Sequence, residues 1–192
     1  MKLILSSCDF SNEASKNTII ANLGKPISDC RVLFIPNEKA DSCLIAGGLY
    51  HDRVAAFGFN RENVFVFDHN YADDFKNLDI DCIYISGGNT FGTIEKIKRT
   101  GFDSVIVNYV KSGVVYIGGS AGAHIATKNI EHVQRYDSND VNLTDFSGLG
   151  LFDGILVCHY NYQRKYDYDT LCRESEYNVF YMTDGDSIIY TG

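Results

Sequence analysis

Short apolar runs that are continuous rather than alternating restrict the fold of this chain more than any other feature. Leu3, Ile4 and Leu5 follow one another without a polar residue, as do the four residues 32–35, and strands covered on both faces have this pattern. Such strands are predicted at residues 2–5, 31–35, 64–67, 82–85 and 114–117, with helical spacing between them at 15–23, 41–57, 90–98 and 102–111. The repeated β-α-β order predicts an α/β fold with a doubly wound, mostly parallel sheet and helices on both faces.

Length and charge limit the number of domains and the classes of partner. The 192 residues predict a single domain, 1–192. The formal net charge of −8 argues against sequence-independent nucleic-acid binding, which needs a basic surface. No apolar run approaches the roughly 20 residues that span a bilayer, and the N-terminal apolar stretch is too brief for a signal peptide. We therefore expect a cytoplasmic protein with no nucleic-acid or membrane partner, present as a monomer or homodimer.

The cysteines indicate no metal site. Six cysteines are present and none forms a C-x-x-C pair, so reduced and mostly buried thiols are expected rather than a zinc site or a disulfide framework. A Gly-Lys-Ser/Thr phosphate-binding loop is also absent, and Gly148-Leu149-Gly150 lacks the preceding strand of a dinucleotide fingerprint. We expect neither a metal nor a cofactor.

The stretch from Gly118 to Gly122, with Ser120 at its centre, carries the strongest chemical signal. It follows an apolar run and precedes a helix-compatible run, which is the strand–turn–helix context of a nucleophile elbow. Such a turn is so sharp that glycine is favoured two residues before and after the serine. The alternative is an ordinary glycine-rich βα turn in which Ser120 caps the helix.

A serine nucleophile needs a base, and the base needs an orienting acid. Of the five histidines, His159 is favoured because it follows the apolar run 155–158, at the carboxyl end of a predicted strand. His124 is interpreted as a packing or helix-end residue. Spacing does not select the acid among the carboxylates between Ser120 and His159, namely Glu131, Asp137, Asp140, Asp145 and Asp153. Asp184 precedes a glycine and is interpreted as opening a hairpin turn.

Backbone amides complete the predicted chemistry. The amide of Ala121 follows the nucleophile and is the usual first donor to an oxyanion. A second amide could come from the Gly87-Gly88 turn, where the absence of side chains allows close approach to a substrate. The alternative there is a tight turn in which Asn89 or Thr90 caps the next helix.

Three segments together resemble the serine peptidase family of aspartyl dipeptidase (peptidase E) and cyanophycinase. They are Ile85-Ser86-Gly87-Gly88-Asn89-Thr90-Phe91, then Gly118-Gly119-Ser120-Ala121-Gly122-Ala123, then Gly148-Leu149-Gly150-Leu151 leading to His159. The resemblance covers essentially the whole chain and implies a fold similar to the class I glutamine amidotransferases. It also implies Ser120 as nucleophile, His159 as base, Asp137 as acid, and oxyanion amides at Gly88 and Ala121, with Asp140 or Glu131 as other candidates for the acid.

The function implied is that of a cofactor-free serine peptidase acting on short peptides, with N-terminal Asp-Xaa dipeptides as candidate substrates. Asn89 is a candidate substrate-binding residue, and Arg164, Lys165 and Arg173 could pair with a substrate carboxylate. Cys158-His159-Tyr160-Asn161 differs from the Asn-Pro-His-Phe of aspartyl dipeptidases, which leaves aspartate specificity open. A small acyl esterase on the same elbow and a non-catalytic binding protein are the alternatives.

Overall fold

A six-stranded sheet forms the centre of the molecule, in a computed structural model that describes all 192 residues. The strand order is β3-β2-β4-β5-β1-β8. The strands are β1 (Lys2–Ser6), β2 (Val32–Ile35), β3 (Val64–Val66), β4 (Cys82–Ile85), β5 (Val115–Gly119) and β8 (Ser187–Thr191). All neighbours are parallel except β1 and β8, so the predicted mostly parallel α/β fold is confirmed.

Helices cover both faces of this sheet. They are α1 (Glu13–Asn22), α2 (Ser42–Ala46), α3 (Leu49–Ala55), α4 (Thr90–Arg99), α5 (Phe102–Lys111), α6 (Ala121–Ile125) and α7 (Lys165–Glu174). The residues of β4 are all apolar because both faces of this strand are buried. Ile83 and Ile85 join the core under α4, α5 and α6, whereas Cys82 and Tyr84 join the core under α1 and α3. The continuous apolar pattern therefore reports burial on two faces.

Two short strands form a separate parallel pair, β6 (Ile155–Val157) with β7 (Val179–Tyr181). Helix α7 connects them, and Leu171 on α7 packs against Ile155 and Val157. This βαβ unit places the carboxyl ends of β6 and β7 side by side. Both ends lie next to the carboxyl end of β5, since the residue after β5 contacts a residue just beyond β6.

Two details of the predicted elements are wrong. The helix predicted over 41–57 is two helices, because Gly48 adopts φ +81° between α2 and α3, a conformation that only glycine enters freely. The Asp184-Gly185 turn is present, but the strands on either side of it do not form a hairpin. Strand β7 pairs with β6, whereas β8 pairs with β1. None of the helices has the length and apolar character needed to cross a lipid bilayer.

Candidate active site

Ser120 lies in a strained turn between β5 and α6. Its backbone has φ +45° and ψ −101°, which is uncommon for a residue with a side chain. The Ser120 amide donates to Ser6 O at 2.9 Å, and its carbonyl accepts from the amides of Ala123 and His124. The hydroxyl makes no helix-capping hydrogen bond. The alternative interpretation of Ser120 as a simple helix cap is therefore wrong.

The two glycines that flank the serine are required by close packing. A Cβ atom at Gly118 would lie 2.7 Å from Gly122 O, and a Cβ atom at Gly122 would overlap the carbonyl oxygen of Ile85 on β4. The phenol of buried Tyr116 donates to Gly122 O at 2.6 Å. The turn thus fits against β4 only without side chains at these positions.

Replacing Gly122 by alanine should destabilise the fold by about 3 kcal/mol, because the added methyl group meets backbone that cannot move aside cheaply. Urea unfolding monitored by circular dichroism measures this change. Gly185→Ala is the matched control, since no atom lies within 4 Å of a Cβ atom there, and it should change stability by less than about 0.5 kcal/mol. Equal losses in the two variants would contradict the packing argument.

His159 is oriented towards Ser120 by its own backbone contacts. Its Nε2 lies 2.9 Å from Ser120 Oγ, and its backbone has φ +54°. The His159 amide donates to Ser7 Oγ at 3.0 Å, and the Ser7 hydroxyl donates to Met182 O at the same distance. Ser7 therefore connects the segment after β6 to the segment after β7. The sequence contained no signal for this role of Ser7.

Asp184 is the carboxylate that contacts His159. Its Oδ1 lies 2.6 Å from His159 Nδ1, and this hydrogen bond is the main cause that lowers the pKa of the Asp184 carboxyl below its usual value. Asp186 holds the turn, accepting from the amide and hydroxyl of Thr183 at 2.9 and 2.7 Å. The charged carboxylate favours the tautomer in which Nδ1 carries the proton and Nε2 faces the serine.

The expectation that Asp137 contacts His159 is wrong. Asp137 Oδ2 instead accepts the amide of Thr90 at 2.8 Å, at the start of α4. The other two candidates also lie elsewhere: Asp140 accepts from Ser138 Oγ, and Glu131 is exposed and lines a different cavity with His132. Asp137 belongs to the neighbouring turn because a helix N-terminus favours a carboxylate.

Ala121 follows Ser120 directly in the chain, and Gly88 belongs to the Gly87-Gly88 turn beside the serine. Neither amide donates a hydrogen bond within the chain. The Gly87 turn packs directly on the serine, since a Cβ atom at Gly87 would lie 3.4 Å from Ser120 Cβ. Gly88 has φ +146°, and a Cβ atom there would lie 2.5 Å from Asn37 Cβ. Two unpaired amide donors therefore remain free for an anionic oxygen.

Asn89 has a structural role in this turn. Its Oδ1 caps α4 by accepting from Gly92 N at 2.9 Å, and its Nδ2 donates to Ser138 O at 2.8 Å. Glu38 Oε2 accepts the Asn89 amide at 2.9 Å. The side chain predicted to bind substrate thus already uses its oxygen and one of its amide hydrogens within the protein.

An acidic cavity of about 570 Å³ begins at Gly88. Its charged lining consists of three carboxylates, from Glu38, Asp137 and Asp140, and one cation, Lys39. Tyr136 forms part of its wall. The excess of carboxylates gives this cavity a negative potential. A positively charged group, such as the N-terminal ammonium of a peptide, would be favoured there.

Of the three cations predicted to bind a carboxylate, only Arg164 lies beside His159. Its guanidinium donates to Cys158 O at 2.5 Å and stacks 4.0 Å above the ring of Tyr136. Lys165 is exposed and pairs with Asp169 on the same helix, at 2.6 Å. Arg173 is exposed near the end of α7, where it donates to Thr170 Oγ1. Tyr136 links Arg164 to the acidic cavity.

Cys8 is half-buried and lies beside His159 and Asp184. One ligand atom each from Cys8, His159 and Asp184 lies within 4.8 Å of the others. Partial burial and the Asp184 carboxylate raise the pKa of the Cys8 thiol to about 11. The thiol is therefore protonated at neutral pH and is a weak nucleophile there.

The remaining histidines do not contact the serine. His124 is buried, its Nδ1 lies 3.4 Å from Thr90 Oγ1, and burial lowers its pKa well below the usual value. Its predicted packing role agrees with this position. His132 is buried as well, with Nε2 2.7 Å from Leu156 O.

The fold and the site define a class: an α/β protein with a strained serine after a parallel strand, in contact with a histidine and then a carboxylate. The model of Peptidase family S51 matches residues 2–192. The chain belongs to this family.

Relatives agree with this membership. The chain is 46% identical over 83 residues to an uncharacterized peptidase of Listeria monocytogenes. The matched segment covers 42% of this chain and 40% of that protein. It is 30% identical over 138 residues to Peptidase E of Streptomyces coelicolor, covering 68% and 51% of the two chains. The chain thus spans between about two fifths and half of the length of these two curated relatives.

Solved structures show the same fold. A provisionally assigned Peptidase E protein from L. monocytogenes superposes with a TM-score of 0.77 at 27% identity, covering 100% of this chain and 94% of that one. A peptidase from an acI-B1 Actinobacterium superposes with a TM-score of 0.66 at 15% identity, covering 98% and 82%. At 15% identity, the second comparison shows only that the two chains share a fold.

Proposed function

We propose that this protein is a serine peptidase that hydrolyses short peptides with Ser120, His159 and Asp184 as its catalytic residues. The observation that carries the proposal is the unbroken series of contacts from Ser120 Oγ to His159 Nε2, at 2.9 Å, and from His159 Nδ1 to Asp184 Oδ1, at 2.6 Å. Both distances are within the range of a nucleophile and base ready for proton transfer. Membership of Peptidase family S51 supports the same reaction.

In the proposed mechanism, Ser120 Oγ attacks the peptide carbonyl while His159 Nε2 takes its proton. Asp184 stabilises the resulting imidazolium, and the amides of Gly88 and Ala121 bind the oxygen that becomes negative. His159 then donates the proton to the leaving amine. Water, activated by the same histidine, releases the acyl group from Ser120.

The charges around the site favour a short substrate with a free N-terminus. The carboxylates of the cavity beside Gly88 attract the N-terminal ammonium group, and Arg164 offers its remaining N–H groups to a substrate carboxylate. An N-terminal aspartate carries both charges on one residue. We therefore propose Asp-Xaa dipeptides as the preferred substrates.

A panel of Asp-Leu, Glu-Leu, Ala-Leu and N-blocked Asp-Leu tests substrate choice. We expect Asp-Leu to be cleaved fastest and the blocked peptide to be resistant. Cleavage of a p-nitrophenyl ester, together with resistance of every peptide, would indicate that the protein is an esterase. Failure of a serine-directed fluorophosphonate probe to label Ser120 in folded protein would favour a non-catalytic role.

Replacing Arg164 by methionine should lower kcat/KM for Asp-Leu by about 10- to 100-fold, because a charge-assisted hydrogen bond contributes about 1.5–3 kcal/mol. The Ala-Leu rate should fall much less, since that substrate has no side-chain carboxylate. Arg173→Met is the matched control and should behave as wild type with both peptides. An equal loss on Asp-Leu and Ala-Leu would show that Arg164 only positions the His159 segment.

A further inference from the structure

We propose that Cys8, His159 and Asp184 form a binding site for Zn²⁺, and that the bound ion switches off the serine. The inhibitory part rests on the proposed function, whereas the binding part does not. The three residues come from three separate segments: the one after β1, the one after β6 and the turn before β8. Their ligand atoms all lie within 4.8 Å of one another.

The types of ligand determine the metal. A thiolate, an imidazole nitrogen and a carboxylate oxygen suit a borderline-soft ion such as Zn²⁺, whereas Mg²⁺ and Ca²⁺ prefer oxygen ligands alone. Three protein ligands leave a fourth tetrahedral position for water. The buried carboxylate of Asp9, which accepts from Tyr84 OH at 2.8 Å, follows Cys8 directly and adds negative potential.

A bound ion would require the ligand atoms of His159 and Asp184 to move apart. Usual zinc bond lengths place tetrahedral nitrogen and oxygen ligands about 3.3 Å apart, whereas His159 Nδ1 and Asp184 Oδ1 are 2.6 Å apart. The ion would replace the proton between these two atoms and push them apart. The Asp184 side chain is 66% exposed, so it is free to move and the ion can enter from solvent.

Binding at Nδ1 would reverse the tautomer of His159. The thiol proton of Cys8 leaves to solvent as the sulfur becomes a ligand. The imidazole stays neutral, so its single proton must lie on Nε2 once the metal occupies Nδ1. An Nε2 atom that carries a proton cannot accept the proton of Ser120, and the attack is blocked without any change of the serine.

Calorimetric titration of Zn²⁺ into Ser120→Ala protein, with a phosphine reductant in place of thiols, tests the site without any catalysis. We expect one ion per chain, and no heat of binding with Mg²⁺. Cys8→Ser in this background should weaken the affinity by about tenfold or more, since even changes outside the ligand shell cost 10- to 100-fold. Cys43→Ser, which removes an exposed cysteine on α2, should have no effect.

Absorption spectroscopy with Co²⁺ and circular dichroism complement the calorimetry. Co²⁺ should produce a thiolate-to-metal charge-transfer band that Cys8→Ser removes and Cys43→Ser keeps. Circular dichroism checks that each variant is folded, and Asp184→Asn is a second ligand variant should Cys8→Ser fail to fold. No saturable binding, or the same affinity after a ligand is replaced in a folded variant, would overturn the site.

The inhibitory step has its own test. Zn²⁺ should stop wild-type hydrolysis of the best dipeptide, and EDTA should restore it. In the Cys8→Ser variant, the ratio of rates with and without Zn²⁺ should rise towards one. Zinc that binds at these residues yet leaves wild-type turnover unchanged would overturn the switch. A wild-type protein that cleaves no peptide would instead overturn the proposed function and leave the metal site standing.

Discussion

Replacing Ser120 by alanine should lower kcat for the best dipeptide by about 10⁶-fold, the loss expected when a nucleophile of this type is removed. In the proposed mechanism, the hydroxyl oxygen forms the covalent bond to the acyl group. The nearby thiol of Cys8 does not replace it, because that thiol is protonated at neutral pH. Steady-state hydrolysis by purified wild-type and variant proteins measures the change.

The fold should survive this substitution. Alanine fills the same space, and the contacts of the turn are made by the backbone of residue 120. The far-ultraviolet spectrum and melting temperature of Ser120→Ala should therefore resemble those of wild type. A rate within about tenfold of wild type would exclude Ser120 as the nucleophile.

Replacing Asp184 by asparagine should lower kcat by about 10⁴-fold with little change in KM. An asparagine amide can donate to Nδ1, which stabilises the tautomer with its proton on Nε2, and that tautomer is unable to act as a base. Because the pKa of the Asp184 carboxyl is lowered from its usual value, the group is ionised throughout the neutral range. Throughout that range, the wild-type carboxylate is therefore available to accept the Nδ1 proton of His159, and the asparagine of the variant is not.

Asp186→Asn is the control for Asp184→Asn. It removes the same charge two residues away, while the asparagine oxygen still accepts the hydrogen bonds of Thr183. We expect less than about a tenfold loss of kcat, because this residue does not touch His159. If Asp186→Asn were as damaging as Asp184→Asn, the loss would come from the turn as a whole and not from the carboxylate on His159.

The fold and two of the three proposed catalytic residues were predictable because their signals are local. A continuous apolar run specifies a strand covered on both faces, and Gly118 and Gly122 specify a sharp turn around Ser120. His159 was predicted from its position after a strand. These patterns use residues that are close together in the chain, and the structure brings Ser120 and His159 into contact.

Asp184 could not be selected in the same way because its position depends on the partner of β7. Asp184-Gly185 between two apolar segments is typical of a hairpin, but β7 pairs in parallel with β6, where Val157 lies opposite Tyr181. His159 is two residues beyond Val157, and Asp184 is three residues beyond Tyr181. Once that register is known, the two side chains must be neighbours.

Cys8 illustrates the same limit for metal ligands. Metal-binding motifs are recognised by short spacings along the chain, whereas Cys8 and His159 are 151 residues apart and His159 and Asp184 are 25 residues apart. Only the sheet, with the segment after β1 next to the segments after β6 and β7, brings them together. The expectation that the chain binds no metal was based on the absence of local motifs, and it stays a prediction.

Strand β8 lies at the edge of the sheet, where it pairs only with β1. Its residues are exposed or half-buried, in contrast to the buried β1, and edge segments of this kind open locally at a lower free energy than the whole domain. Asp184 lies three residues before the first residue of this strand. A transient opening of β8 would thus withdraw the carboxylate from His159 while the parallel strands stay folded. On mild heating, reversible loss of activity should come before cooperative denaturation, so the temperature at which activity is lost is set by one strand and not by the core.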